Sequence, residues 1–238
     1  MGVARRTLGP LFRALPLRLR REIRTMRLES IVRRRKFVSD EYEFGRLQEW
    51  LSPGDVAIDI GANLGTYTLR MSDLVGAMGR VFAFEPVPQT FATLTRLLAI
   101  SDCRNVTALN LACSNKNAFA SISIPDDAVT GEDLYRATIM EGGPAAISIC
   151  CVRLDDVALP LDRLRLVKID TERHETEVLD GMWGIVASKR PILIIENLPA
   201  AATDRLISLG YRRTHKAKSP NSVYFPDGTD LNSGFDVA

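Results

Sequence analysis

The sequence has few of the residues that build disulfide frameworks and transition-metal sites. Its 238 residues include four cysteines, two of them adjacent and none in a CxxC pair, and only two histidines. A disulfide framework, a cysteine-based zinc site and a histidine-rich metal site are therefore not expected, and a reducing cytoplasm is the favoured location. No run approaches the ~18–20 consecutive apolar residues that cross a bilayer, so we do not expect an integral membrane protein.

The net charge is small, but the charges are unevenly distributed. The formal net charge is +2, yet residues 1–36 contain twelve Arg or Lys and only two acids. This asymmetry predicts a basic, partly helical arm over residues 1–36 and a mildly acidic domain over residues 37–238. The arm could lie peripherally on an anionic membrane or bind an acidic partner. The alternatives are a solvated helix packed loosely on the domain, or an upstream extension of a chain that starts at Met26. Because Phe12 is its only aromatic residue, it has no stacking platform and no nucleic-acid partner is expected.

Short apolar runs alternate with helical patterns from Phe37 onward. The runs are apolar on both faces, which is typical of parallel strands covered by helices on both sides. The expected parallel strands are Val56–Ile60, Arg80–Glu85, Val106–Leu111, Leu164–Asp170 and Pro191–Glu196. The sequence thus predicts an α/β fold with a doubly wound, mostly parallel sheet. An antiparallel hairpin closes its C-terminal edge, and residues 121–124 and 147–152 form an inserted β-ribbon.

A glycine-containing loop follows the first predicted strand, with Gly61 and Gly65 in the run DIGANLG. Glycines at a strand–helix junction let the backbone approach a ligand closely, and such folds bind nucleotides at this edge of the sheet. The spacing fails the dinucleotide fingerprint, because GxGxxG starting at Gly61 would need glycine where Asn63 and Thr66 stand.

Two acids flank this loop and indicate the charge of its ligand. Asp59 precedes the first glycine by two residues, where it would oppose a pyrophosphate and favour the ammonium and sulfonium groups of S-adenosylmethionine. Glu85 ends the second strand, where a carboxylate accepts hydrogen bonds from ribose hydroxyls; NAD-binding folds share this feature. A plain strand–helix turn with two surface acids is the structural alternative.

A second polar cluster lies at the end of the fourth parallel strand, where every second position is charged: Lys168, Asp170 and Glu172. Alternation places these side chains on one face if the strand persists. Asp170 or Glu172 could take a proton from an acceptor hydroxyl, with Lys168 holding a carboxylate or polarising the acceptor. Glu196 ends the fifth strand at the same edge and could face the acceptor. A salt-bridged cluster that only orders the loop is the alternative.

Asp155 and Asp156 are adjacent acids after a predicted strand. Such a pair can hold Mg²⁺. A turn or a helix cap is the preferred interpretation, so no metal site is predicted.

Several motifs together resemble those of the FkbM family of methyltransferases. They are AIDIGANLGTYT from Ala57, VFAFEP from Val81, LDD from Leu154 and VKIDTE from Val167. The resemblance implies a class I Rossmann-like fold, S-adenosyl-L-methionine as cofactor, and O-methylation of a saccharide or another small molecule. Carried over by position, it places five residues in the cofactor site, namely Asp59, Gly61, Asn63, Gly65 and Glu85. Glu43, an acid before the first strand, is a sixth and weaker member.

The chain departs from the family pattern at one position, where Arg173 stands in place of an expected glycine. We expect Arg173 to contact an anionic acceptor, because arginine suits carboxylate or phosphate binding. The same departure supports an alternative, a non-catalytic module with a methyltransferase-like fold. An NAD(P)-dependent oxidoreductase is the second alternative.

Overall fold

The computed structural model describes residues 15–34, 36–123, 138–140, 146–216 and 219–229. Their helices are α1 (Leu17–Arg33), α2 (Tyr42–Trp50), α3 (Thr66–Val75), α4 (Pro88–Ile100), α5 (Glu175–Gly181), α6 (Trp183–Lys189) and α7 (Ala200–Ser208). The strands are β1 (Val56–Ile60), β2 (Arg80–Phe84), β3 (Val106–Leu109), β4 (Ala112–Cys113), β5 (Ala118–Ser123), β6 (Thr138–Met140), β7 (Ala146–Val152), β8 (Leu164–Ile169), β9 (Ile192–Glu196), β10 (Tyr211–His215) and β11 (Asn221–Pro226).

Seven strands form the central sheet in the order β10-β11-β9-β8-β1-β2-β3. Strands β3, β2, β1, β8 and β9 pair in parallel, whereas β11 is antiparallel to both of its neighbours. The predicted fold class and the C-terminal hairpin are therefore confirmed. The chain runs outward from β1 through β2 to β3 and then returns to the other side of β1 at β8. Open α/β sheets bind ligands at such a switch point, beyond the carboxyl ends of the strands.

Helices cover both faces of this sheet, which explains the uninterrupted apolar runs. Ile58 and Ile60 belong to a buried cluster on one face, together with residues of α5, α6 and α7. Ala57 lies on the other face and packs with residues of α2 and α3. The sequence analysis did not predict α2, which buries Leu47 completely.

An inserted sheet follows β3, with the strand order β4-β7-β5-β6. The predicted antiparallel ribbon is confirmed over its described part, where Ile122 pairs with Ile147. Residue 124 and most of the connecting loop lie outside the described residues. Ile122 and Ile149 pack on Val87, which follows β2. The inserted sheet therefore lies beside the carboxyl edge of the central sheet.

The described part of the basic arm forms α1, which packs on α4. Arg96 of α4 pairs with Glu22 at 3.4 Å and also with Glu29. Leu19 and Met26 remain exposed. Residues 1–14 of the predicted arm lie outside the described residues. No helix in the described ranges is long and apolar enough to cross a membrane.

Asp155 connects the turn after β7 to the start of α6. Its carboxylate accepts hydrogen bonds from the backbone N–H groups of Gly184 and Ile185, both at 2.9 Å. These are among the first N–H groups of the helix, which have no partner within it. The interpretation of Asp155 as a helix cap is confirmed.

Candidate active site

A cavity of about 230 Å³ opens at the carboxyl edge of the central sheet, beside the inserted sheet. The ends of β1, β2, β8 and β9 contribute to it, and so does the residue before α2. Its polar and charged lining residues are Glu41, Asn63, Glu85, Asp170, Thr171, Glu172, His174 and Glu196. The cavity therefore lies at the switch point of the sheet.

Glycine is required at the start of the loop after β1. Gly61 has a φ of +77°, and a Cβ there would lie 1.8 Å from the carbonyl oxygen of Asp170. The backbones of β1 and β8 thus approach more closely than any side chain would permit. Asn63 lines the cavity with a φ of +50°, and its buried Oδ1 has no hydrogen-bond partner. Gly65 (φ +87°) fits against Leu94 and does not line the cavity.

Glu85 lies at the end of β2 and is only 5% exposed. Its two carboxylate oxygens accept hydrogen bonds from the backbone N–H groups of Asn63 and Val87, both at 2.9 Å. Burial raises the pKa of Glu85 to about 7, even though these two hydrogen bonds favour the ionised form. The backbone therefore fixes this carboxyl group at the cavity wall, and its cofactor-binding role stays a prediction.

Asp59 is fully buried and does not line the cavity. Its Oδ2 accepts a hydrogen bond from the hydroxyl of Thr68 at 2.5 Å, and its Oδ1 has no partner. Burial raises the pKa of Asp59, while the charge of Lys168 opposes that shift. Asp59 is therefore not in direct contact with the cavity, and its cofactor-binding role stays a prediction.

Glu41, which the sequence analysis missed, lines the cavity just before α2. The hydroxyl of Tyr67 donates a hydrogen bond to Glu41 Oε2 at 2.6 Å. Glu43, the acid that the analysis selected, is 1% exposed and does not line the cavity; its Oε2 has no partner. Both acids flank the start of α2, so recognising that helix would have been needed to choose between them.

Lys168 and Asp170 form an ion pair at the end of β8. Lys168 Nζ lies 2.7 Å from Asp170 Oδ2, and the lysine side chain is 4% exposed. Burial alone would raise the pKa of Asp170, but the charge and hydrogen bond of Lys168 hold it below its ordinary value. Lys168 also lies over the ring of Tyr67, 4.6 Å from its centroid. Lys168 does not line the cavity itself, so it fixes the carboxylate of Asp170 from behind the cavity wall.

Glu172 and Glu196 line the cavity together with Asp170, as the sequence analysis expected for this edge. The carboxyl groups of Glu196 and Asp170 are hydrogen-bonded to each other. Burial and the charge of Asp170 raise the pKa of Glu196 to about 8. One of these two carboxyl groups is thus protonated at neutral pH while the other is ionised.

The loop after β8 takes two consecutive residues through the left-handed region, Glu172 at φ +52° and Arg173 at φ +79°. The buried carboxylate of Glu175 accepts hydrogen bonds from the backbone N–H of Thr171 at 3.0 Å and of Arg173 at 3.2 Å, and these hold the loop. The side chain of Arg173 is exposed and does not line the cavity. This position gives no support to its expected contact with an acceptor, which stays a prediction.

His174, which follows Arg173 in the loop after β8, lines the cavity and was not among the residues that the sequence analysis selected. Its Nε2 lies 2.9 Å from the hydroxyl oxygen of Ser114, and its Nδ1 lies 3.6 Å from Glu177. Burial lowers the pKa of His174. The imidazole is therefore mostly neutral at pH 7 and is a second group that could accept a proton.

The charge of the cavity is its most distinctive property. Five carboxyl groups line it, whereas its described lining contains no lysine or arginine. A pyrophosphate would be repelled by this wall, and a ligand with positive charge would be attracted. The acidic wall thus favours the cationic ligand that Asp59 suggested.

Both the sequence and the fold resemble those of known methyltransferases. The family model described as "Methyltransferase FkbM domain" matches residues 59–213, and the chain belongs to this family. The solved structure of a methyltransferase FkbM from Methylobacillus flagellatus shares the fold, with a TM-score of 0.51, 16% identity, and coverage of 87% of this chain and 60% of that chain. The predicted family is therefore confirmed, and the comparisons give no support to the oxidoreductase alternative.

Two curated relatives are also similar in sequence. The hexuronic acid methyltransferase AglP of Haloferax volcanii is 29% identical over 170 residues, which are 70% of this chain and 66% of the relative. The 31-O-demethyl-FK506 methyltransferase FkbM of Streptomyces tacrolimicus is 30% identical over 162 residues, which are 56% of this chain and 61% of the relative. The chain thus spans about two thirds or less of the length of these relatives.

Proposed function

We propose that this protein transfers a methyl group from S-adenosyl-L-methionine to a hydroxyl group of a small molecule or saccharide. The observation that carries the proposal is the acidic cavity at the switch point, with Glu85 fixed in its wall. When bound there, the cofactor supplies an electrophilic methyl group on a sulfonium.

The residues of the cavity fit this cofactor in charge and in hydrogen-bonding capacity. The carboxylate of Glu85 retains lone pairs for ribose hydroxyls after accepting its two backbone hydrogen bonds. Glu41, held by Tyr67, would receive the ammonium group. The buried Oδ1 of Asn63 is a hydrogen-bond acceptor that still lacks a donor. Asp59, buried behind the wall and hydrogen-bonded to Thr68, is the remaining acid of the proposed cofactor site.

We propose that the acceptor binds beside Asp170, Glu172 and Glu196. O-methylation requires the acceptor oxygen to be held in line with the methyl group and to lose its proton. These carboxyl groups can hold the hydroxyl and receive that proton, while Lys168 keeps Asp170 ionised. The name of AglP, a hexuronic acid methyltransferase, supports a saccharide acceptor.

We place the reaction in the cytoplasm, because all four cysteines are free, as is usual in a reducing compartment. We also propose that residues 1–36 contact an anionic membrane peripherally. The strongest alternative function is a module that binds the cofactor without turnover, for which the strained Arg173 is the relevant observation.

Calorimetric titration with S-adenosylmethionine tests the proposal. We expect micromolar binding by the wild type, a large loss of affinity in Glu85→Ala and Glu41→Gln, and no binding of NAD. Glu49→Gln is the control, because Glu49 pairs with Arg46 outside the cavity. Absence of binding by the folded wild type would refute the proposal. Formation of S-adenosylhomocysteine with any acceptor would eliminate the non-catalytic alternative.

A further inference from the structure

The cavity contains two carboxyl groups whose shared proton has no role so far. Asp170 follows β8 and Glu196 ends β9; the register that pairs Ile169 with Ile195 sets the two residues side by side, where both line the cavity and their carboxyl groups share a hydrogen bond. Two ionised carboxylates have no donor, so this hydrogen bond requires a proton on one of them. The pair therefore holds one proton and one negative charge.

The neighbouring charges place this proton on Glu196. The ammonium group of Lys168 lies 2.7 Å from Asp170 Oδ2, and it stabilises the ionised form of Asp170. Burial and the negative charge of Asp170 raise the pKa of Glu196 to about 8, and the charge of Lys168, which acts in the opposite direction, does not offset them. At neutral pH the pair is thus an ionised aspartate and a protonated glutamate.

The other groups around Glu196 keep that proton in place in the absence of a ligand. Glu172 faces it from the loop after β8 and adds negative charge. Glu41 and His174 line the same cavity, the first an acid and the second an imidazole whose pKa is lowered by burial. On β11, the neutral Asn221 is the register partner of Glu196. Among these groups, none supplies the positive charge that would ionise Glu196.

We propose that the Asp170–Glu196 pair is the proton acceptor of the methyl transfer, and that a sulfonium ligand in the cavity readies it by releasing the shared proton. This inference rests on the proposed function. A positive charge in the cavity favours ionised carboxyl groups, so binding expels the proton to solvent. In the transfer, the pair takes the proton from the acceptor's O–H bond as the oxygen bonds to the methyl carbon, and the electrons of the broken C–S bond stay on sulfur.

Proton release on binding can be measured without knowing the acceptor. Calorimetric titrations at about pH 7.5 in phosphate and in Tris, which differ in ionisation enthalpy, give the number of protons released per ligand bound. S-adenosylmethionine is compared with S-adenosylhomocysteine, which lacks the methyl group and the sulfonium charge. Any proton released from Glu85 on ribose binding is common to both ligands and cancels. We expect S-adenosylmethionine to release roughly half a proton more than S-adenosylhomocysteine.

Variants assign this difference to the pair. Glu196→Gln should bind both ligands with no difference in proton release, and Asp170→Asn serves as the second variant if the first does not fold. Glu49→Gln should behave as the wild type. Equal release for the two ligands in the wild type would overturn the inference and leave the proposed function intact. A difference that persists in Glu196→Gln would also overturn it, whereas failure of the wild type to bind either ligand would refute the proposed function.

Discussion

Replacing Arg173 with glycine should stabilise the protein. Arg173 has a φ of +79°, where a Cβ is disfavoured. This conformation costs a non-glycine residue about 1–2 kcal/mol, while glycine loses about 0.4–1 kcal/mol through its more flexible unfolded state. The net gain is about 0.5–1 kcal/mol, which for a chain of this size raises Tm by roughly 1–4 °C. The exposed side chain adds little, and the N–H of residue 173 keeps its hydrogen bond to Glu175.

Urea unfolding followed by circular dichroism measures the gain as a shift of the midpoint. Arg173→Ala is the matched control, because it removes the side chain beyond Cβ and keeps the Cβ itself; it should show no gain. An equal effect of glycine and alanine would refute the strain argument. The same variants test the acceptor hypothesis, since unchanged acceptor affinity in Arg173→Gly would exclude a contact by this residue.

Three further predictions concern separate parts of the molecule. The affinity for S-adenosylhomocysteine, measured by calorimetry, should fall as the pH decreases below about 7, because protonation removes the acceptor that Glu85 offers to ribose; a flat wild-type profile would contradict this. Asp155→Ala should cost about 1 kcal/mol in urea unfolding by removing the cap of α6, whereas Asp156→Ala should cost less. Binding to anionic vesicles should be salt-sensitive and lost on removal of residues 1–36; equal binding by the truncated protein would refute a membrane role.

The central sheet could be predicted because its parallel strands are mostly apolar on both faces, and three of them end in an acid or directly before one. The same regularity placed Glu85, Asp170 and Glu196 at one edge, and the cavity brings them together. Such a pattern depends only on the alternation of strands and helices. The positions of these residues at one edge can therefore be predicted without knowing how individual side chains pack.

Features that depend on packing between distant segments could not be predicted. Glu41 and Glu43 are equally acidic in sequence, and only the position of α2 decides that Glu41 faces the cavity. His174 lines the cavity because Ser114, from the inserted sheet region, meets its ring. Asp59 was expected near the ligand, yet Thr68 holds its side chain beneath the cavity.

Lys168 connects the selectivity of the cavity to its chemistry. Dinucleotide-binding folds share the loop after the first strand and the acid at the end of the second, so topology alone does not select the ligand. Here Lys168 is buried behind the cavity wall and pairs with Asp170. Because its ammonium group does not line the cavity, the surface that a ligand meets stays negative. That placement disfavours a pyrophosphate and favours a sulfonium. It also decides which carboxyl group keeps the shared proton, because stabilising the charge of Asp170 leaves Glu196 as the protonated partner.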